Sequence, residues 1–295
     1  MHGEPPAVAR RRVRFALRGH RQAVDLNQTE VAHRLGWSLS KVQRIESGEV
    51  GVSVTDLRAL LQVYEVDDTD EIQRLVEDSK VSRRQRWYEA PEYRRHVTKS
   101  LRQLLQFESE ATAIYAFQPV LVPGQLQTPA FAEAVLSWWK DKKLSDDDRR
   151  VRHDVRMLRR RQIFERVDGP DYHLILDESV VMRRTGGPQI MAEQLEALES
   201  VSRLPQMRIR VLPLSEGALG GAIGPFQILQ LGPDLTEDSV LYRESFNRDN
   251  VTHDAAEIHF HHEVFEELWA QCLDEQASRL IMHAELASLR RPPGG

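Results

Sequence analysis

The chain has 295 residues, of which 41% are hydrophobic and 29% charged, enough for a buried core and a well-solvated surface. This length predicts about two domains. A membrane-spanning helix is excluded, since no apolar run approaches the roughly 18 residues required. The N-terminal segment, MHGEPPAVARRRVRF, has no apolar stretch of the kind found in secretory signals, and the single cysteine, Cys272, cannot form an internal disulfide. We therefore expect a cytoplasmic protein without membrane association.

Charge is distributed unevenly along the chain. Residues 1–48 carry nine Lys or Arg and four Asp or Glu, a net charge of +5, so the rest carries −10 if the total is −5. A basic segment joined to an acidic body indicates a polyanion partner for the first part only. A solvated basic face is the alternative, and charge alone does not separate the two.

Apolar residues near the N-terminus recur at the spacing of short helices. The pattern predicts a first helix around Val13 and Leu17, a second over 28–35 and a third over 39–47. A further helix is predicted over 56–64, where leucines form one apolar face. This segment is therefore expected to be an all-α domain.

Capping signals mark the ends of the second and third predicted helices. Asn27 and Ser38 are the expected N-caps, and Glu30 is placed to complete a capping box with Asn27. Gly36 and Gly48 end the two helices, because glycine adopts positive φ at little cost. Two short helices joined by a tight glycine turn form a unit that fits the major groove of DNA.

The outer side of the third predicted helix carries side chains suited to base recognition. Ser40, Gln43 and Arg44 are expected to lie opposite the inward-facing Val42 and Ile45. Arginine can pair with guanine and glutamine with adenine, while serine is adaptable. This helix is therefore the predicted recognition helix.

Residues around the recognition helix favour the DNA backbone or the groove. Leu39, at the exposed helix start, can contact a thymine methyl group. Lys41 is placed for a phosphate, and Gln28 could join backbone amides in gripping another. The predicted DNA-binding residues are Gln28, Ser38, Leu39, Ser40, Lys41, Gln43 and Arg44.

The segment LNQTEVAHRLGWSLSKVQRIESG resembles the helix-turn-helix of the XRE family, the phage-repressor and Cro-like regulators. The residues in register are Leu26, Asn27, Gln28, Glu30, Val31, Ala32, Leu35, Gly36, Ser38, Val42, Ile45, Glu46 and Gly48. The resemblance implies a transcriptional regulator that binds a palindromic operator in double-stranded DNA as a homodimer. It also implies a structural role for Glu46. The alternative is a helical bundle that binds only proteins.

Strand and helix signals are mixed in the rest of the chain. Predicted strands are ATAIYAF, YHLILDE, MRIRVLP, FQILQL and SVLYRE. Predicted helices extend to about 79, to about 110, from 129 to 138, from 145 to about 167, from 189 to 201, and over most of 252–289.

These elements predict an α+β protein. An all-α helix-turn-helix domain over 1–66 precedes a helical linker over 67–110. A mixed α+β regulatory or partner-binding domain, with a small sheet flanked by helices, follows over 111–295.

The second half resembles the antitoxin-like domain that follows the XRE motif in many actinomycete transcriptional regulators. The matching segments are VPGQLQT from Val122, RRQ from Arg160, LDE from Leu176, QL from Gln194, IRVLP from Ile209, GPF from Gly224 and YRE from Tyr242. The resemblance implies a small partner protein as a candidate antagonist. The domain is thus expected to sense a partner protein or a ligand. The alternative is an antitoxin-like module that binds a small protein and autoregulates.

None of the residue groups that could carry out chemistry favours an enzyme. The histidine cluster at 253–262 lacks the H-E-x-x-H order of a zinc site, and an amphipathic helix explains it better. The glycines at 217–224 precede a strand rather than a helix, unlike a dinucleotide-binding loop. Asp177 and Glu178 are adjacent and should diverge, and Cys272 has no neighbouring base. The arginine-rich helix 146–167 is either a salt-bridged exposed helix or a phosphate or partner surface. We therefore expect no catalytic residue, metal or cofactor.

Overall fold

The computed structural model describes residues 6–83, 88, 90–138, 145–164, 169–216, 223–236, 238–245 and 249–291. It divides into two compact units, residues 1–87 and 88–295. The division predicted from the sequence was different, with a helical linker over 67–110 between domains. In the structure that segment is shared between the two units, and its first helix belongs to the core of the first unit.

The described residues of the first unit form five helices: α1 (Pro6–Ala23), α2 (Gln28–Leu35), α3 (Leu39–Glu46), α4 (Val54–Val63) and α5 (Thr69–Ser82). The Asn27 side chain accepts from the Glu30 amide, and the Glu30 side chain accepts from the Asn27 amide, which confirms the predicted capping box. Ser38 accepts from the Lys41 amide, as predicted for the N-cap of α3.

Helix α5 explains why the boundary lies beyond 66. Its residues Leu75 and Val76 are buried in the same core as Leu17 and Leu57. The Ser79 hydroxyl, which is fully buried, donates to the Val52 carbonyl at 2.8 Å. Burial of the apolar face of α5 therefore stabilises the first unit, because removing apolar surface from water is favourable.

The second unit is organised around a six-stranded mixed sheet. Its strands are β1 (Ala113–Gln118), β2 (Asp171–Asp177), β3 (Met207–Leu212), β4 (Phe226–Gln230), β5 (Ser239–Arg243) and β6 (Asn250–Thr252). Their order is β3-β2-β1-β4-β5-β6, with β1, β2 and β3 parallel and the pairs from β1–β4 to β5–β6 antiparallel.

The helices of this unit are α6 (Pro91–Arg94), α7 (Lys99–Glu110), α8 (Pro129–Ser137), α9 (Asp146–Phe164), α10 (Glu178–Met182), α11 (Pro188–Val201), α12 (Ala255–Gln271) and α13 (Glu275–Leu289). One sheet face packs Phe117, Ile228 and Leu241 against Phe265 and Leu268 of α12. The predicted α+β class is therefore confirmed.

Helix α9 begins with a capping box formed by Ser145 and Asp148. The Ser145 hydroxyl accepts from the Asp148 amide at 3.1 Å, and the Asp148 carboxylate accepts from the Ser145 amide at 3.2 Å and from the Ser145 hydroxyl at 2.6 Å. This hydrogen bond and a second one from His96 lower the pKa of Asp148 to about 2. The helix start is thereby fixed by its own side chains.

Several details of the second unit differ from the prediction, including the short helices α6 and α10, which were not predicted. Strand β6 was not predicted, because three residues carry too short a pattern to be detected. Cys272 was predicted within a helix but is the C-cap residue of α12, in an extended conformation. No helix among the described residues is long and apolar enough to cross a membrane.

Candidate nucleic-acid interface

The turn between α2 and α3 has the tight geometry expected of a helix-turn-helix. Gly36 adopts φ 63°, in the left-handed region, and its amide donates to the Ala32 and His33 carbonyls. The Trp37 amide also donates to the Ala32 carbonyl, at 2.9 Å. A side chain at residue 36 would be strained by this φ, so the turn depends on glycine.

The faces of α3 divide as the sequence predicts. Val42 and Ile45 are buried in the core of the first unit. Ser40, Gln43 and Arg44 are exposed, and Leu39 at the helix start is 39% exposed. The exposed residues at 40, 43 and 44 share one face, because positions three and four apart are neighbours on a helix. This face can enter a groove while the opposite face remains packed.

Glu46 is a buried carboxylate that connects α3 to the neighbouring helices. It accepts from Arg21 Nε at 2.8 Å and Arg21 Nη2 at 3.1 Å, from Gln28 Nε2 at 2.8 Å and from the Tyr64 hydroxyl at 3.3 Å. Burial, followed by the Glu46 charge, raises the pKa of the Tyr64 phenol well above its usual value. The four side chains fix the orientation of α3 against α1, α2 and the end of α4.

Gln28, predicted to grip a phosphate, is one of the residues that Glu46 holds. One hydrogen of its side-chain amide is used in the bond to Glu46. A phosphate contact at this position would therefore use the second hydrogen of that amide or the backbone N–H at the start of α2. Its contact with DNA remains a prediction.

Lys41, also predicted to contact a phosphate, is held within the first unit. Its Nζ lies 2.9 Å from Asp56 Oδ1 and 3.5 Å from the centroid of the Trp37 ring. The carboxylate and the ring both stabilise the ammonium in this position. A phosphate must therefore compete with Asp56 for Lys41.

The histidine cluster does not form a metal-binding arrangement in the structure. His259 lies 3.4 Å from Glu263 on the exposed side of α12, whereas His262 packs edge-on against Tyr115. His261 hydrogen-bonds the Glu257 carbonyl within the same helix. In the described ranges no three His, Cys, Asp or Glu side chains are grouped to hold a metal ion.

The remaining sequence candidates have local structural roles where they are described. Asp177 is the N-cap of α10, and the Glu178 carboxylate accepts from the Leu214 amide at 2.8 Å. Burial raises the pKa of the Cys272 thiol to about 12, which opposes a role as a nucleophile. Of the glycine-rich loop, Gly217, Gly220 and Gly221 lie outside the described residues.

The arginine-rich helix α9 combines two environments. Near its start, Arg149 pairs with Asp146 and Glu133, and Arg150 pairs with Asp147 on the surface. Further along, Arg159 is buried beside Glu108. The salt-bridged exposed helix, one of the two alternatives predicted from the sequence, therefore describes its first half, whereas Arg159 in its second half faces the protein interior.

Comparison with known families gives two matches. Residues 13–75 match the family described as a helix-turn-helix domain, and residues 101–283 match the family described as a domain of unknown function, DUF5753. No curated protein and no solved structure matches the chain. The first match covers α2, α3 and the turn between them, and the second covers the whole sheet.

Proposed function

Because the chain belongs to the DUF5753 family and carries a helix-turn-helix DNA-binding domain before that region, we propose that it is a sequence-specific transcriptional regulator rather than an enzyme. The observation that carries the proposal is the exposed face of α3, where Ser40, Gln43 and Arg44 project from a helix packed against the core on its other side. Major-groove recognition needs such a rigid helix with polar residues outward.

The proposed contacts follow from the chemistry of each side chain. Arg44 donates two hydrogen bonds to the O6 and N7 atoms of a guanine, and the Gln43 side-chain amide pairs with the N6 and N7 atoms of an adenine. Ser40 and Leu39 lie nearer the helix start, where base edges or a thymine methyl group are within reach. One such helix covers only a few base pairs, so we propose a homodimer of the XRE type on a palindromic operator. Its half-sites would lie about 10 base pairs apart.

Selection of random duplex DNA by the full-length protein tests this proposal. We expect an enriched palindromic site, and we expect Arg44→Ala to lose the preference at one base pair of each half-site, a change of about 1–3 kcal/mol in discrimination. The matched control is Arg74→Ala, which removes an exposed arginine from α5 and should leave the selected site unchanged. Selection of the same site by the Arg44→Ala protein would place the recognition face elsewhere.

A second prediction concerns Lys41 and its carboxylate partner Asp56. If Lys41 binds a phosphate, Lys41→Ala should weaken binding to all sequences alike and reduce the slope of log K against log salt by about 0.9 per half-site. Asp56→Asn should strengthen binding, because the ammonium no longer has to leave a carboxylate. Binding isotherms at several salt concentrations measure both effects. An unchanged slope in Lys41→Ala would limit Lys41 to a structural role beside Trp37.

We propose a regulatory role for the second unit, which senses a ligand or a partner protein. The hydrophobic core of this unit, which is centred on the sheet and separate from that of the first unit, supports this role. In an antitoxin-like module, by contrast, a small protein encoded beside the chain should co-purify with it in stoichiometric amounts.

A further inference from the structure

Polar side chains occupy the layer between α9 and the central sheet. Tyr172 on β2 and Gln227 on β4 are buried on the sheet face opposite the one that α12 covers. Three further polar residues are buried in this layer: Glu108 on α7, Gln125 in the turn before α8, and Arg159 on α9. Charged residues are seldom buried unless each has a partner. The hydrogen-bond partners of these side chains therefore indicate the role of the layer.

One part of the layer is fully satisfied. Arg159 donates two hydrogen bonds to the Glu108 carboxylate, the Nε bond being 2.9 Å long, and a third to Gln125 Oε1 at 3.1 Å. Gln125 in turn donates to the Tyr172 hydroxyl. Glu108 is therefore committed to Arg159 and is not available to other cations.

The adjoining part of the layer has unused hydrogen-bond donors. Arg156 precedes Arg159 by one helical turn and Arg152 by two, on the same stripe of α9. The Nε atoms of both are buried, and no acceptor among the described residues lies within hydrogen-bonding distance of either. Arg156 Nη1 reaches only the Arg152 carbonyl, at 3.1 Å. Burial and the neighbouring Arg159 charge lower the pKa of Arg156 to about 10.

A glycine adjoins Arg156, and an additional buried acceptor lies on β4. At Gly124 an added Cβ would lie 3.2 Å from Arg159 Nη1 and 3.6 Å from Arg156 Nε, so the absence of a side chain there keeps the guanidinium uncrowded. Gln227 is 3% exposed, and its Oε1 has no donor among the residues described. Its cross-strand partner is Tyr242, a residue close enough to Arg156 to influence its pKa.

We propose that Arg152 and Arg156 bind the oxyanion of a small ligand, a phosphate or a carboxylate, in this layer between α9 and strands β4 and β5. The anion accepts hydrogen bonds from the guanidinium groups, and Gln227 accepts one from a donor on the same ligand. This proposal specifies the chemical class of the ligand, a small molecule with a phosphate or carboxylate group, for the regulatory role proposed above. It depends on that role only for its effect on DNA binding, because binding of the anion is measured without DNA.

Calorimetric titration and thermal unfolding of the full-length protein with inorganic phosphate, at constant ionic strength, test the site. Malonate titrated in parallel separates a carboxylate site from a phosphate site. We expect Arg156→Gln to weaken binding about ten- to a hundredfold, the loss expected for a charged hydrogen bond. The control is Arg161→Gln, an exposed arginine on the same helix, which should bind like the unmodified protein. Equal affinities in the two variants would overturn the proposal.

Two further measurements distinguish a binding site from a structural role. The Glu244 carboxylate, just after β5, acts on Arg156, so Glu244→Gln should tighten anion binding by removing a competing negative charge. In the absence of ligand, the Arg156→Gln protein should unfold at the same temperature as the unmodified protein or at a higher one. A buried guanidinium with an unused donor lowers the stability of the folded state, and the substitution removes it. A lower unfolding temperature would make Arg156 a structural residue and overturn the proposal.

The effect on DNA is measured last, with the operator chosen by selection. We expect phosphate or malonate to change operator affinity in the Arg161→Gln protein and not in the Arg156→Gln protein. An identical response in both variants would overturn the regulatory link. Failure of anion binding with an intact operator preference would overturn only this site. Loss of operator preference with intact anion binding would overturn only the proposed regulator.

Discussion

We expect Glu46→Ala to lower the free energy of unfolding of the first unit by about 3–5 kcal/mol. The substitution leaves the half-buried Arg21 guanidinium without its two carboxylate bonds, and it removes the acceptor of Gln28 and Tyr64. A buried charge that loses its partner incurs the full cost of desolvation. The loss should also reorient α3, so operator binding should fall by more than the stability loss alone predicts.

Hydrogen exchange of the α2 and α3 amides, measured on the full chain, isolates this unit from the second. Glu77→Ala is the matched control, because Glu77 pairs with Lys80 where both side chains are 56% exposed. Such a surface pair contributes about 0.5 kcal/mol or less. Equal protection in the two variants would show that the Glu46 hydrogen bonds do not hold α3.

The second large effect is expected at the buried pair of Glu108 and Arg159. Breaking it by Glu108→Leu or Arg159→Met should each destabilise the second unit by about 3–5 kcal/mol, since each leaves one charge buried and unpaired. The double variant should recover most of that loss, because two apolar side chains replace two desolvated ions. Such a recovery would assign the pair a role in conformational specificity rather than in net stability.

Urea unfolding of the four proteins, followed by a probe within the sheet, gives the double-mutant cycle. A coupling free energy of several kcal/mol is expected. Additive losses in the double variant would mean that the two side chains act independently, contrary to the geometry of their two hydrogen bonds.

The sequence predicted best what is encoded locally. The capping box at Asn27 and Glu30, the cap at Ser38 and the turn at Gly36 each depend on residues within a few positions. Predictions for these elements were confirmed, because a helix end is determined by its own side chains and backbone. The exposed face of α3 followed from the same spacing.

Long-range features could not be predicted in this way. Nothing in the sequence shows that Glu46 meets Arg21 and Tyr64, which lie 25 and 18 positions away. Five of the six strands were found, but their order and direction were not, because pairing depends on which edges meet after the helices pack. The pairing of Lys41 with Asp56 was missed for the same reason. The only signal for it in the sequence was a carboxylate in the first turn of the next helix.

The sheet has a consequence for how the chain is made. Strands β1 and β2 are parallel neighbours although the chain forms α8 and α9 between them, and β4 inserts beside β1 only after β3 has been added. Contacts between distant parts of a chain form slowly, because a large loop must close before they contribute stability. The described part of the first unit consists of helices, all within the first 87 residues of the chain, so this unit should fold sooner than the sheet. During synthesis from the N-terminus, the DNA-binding unit should therefore be complete on the ribosome while the sheet still waits for β5 and β6.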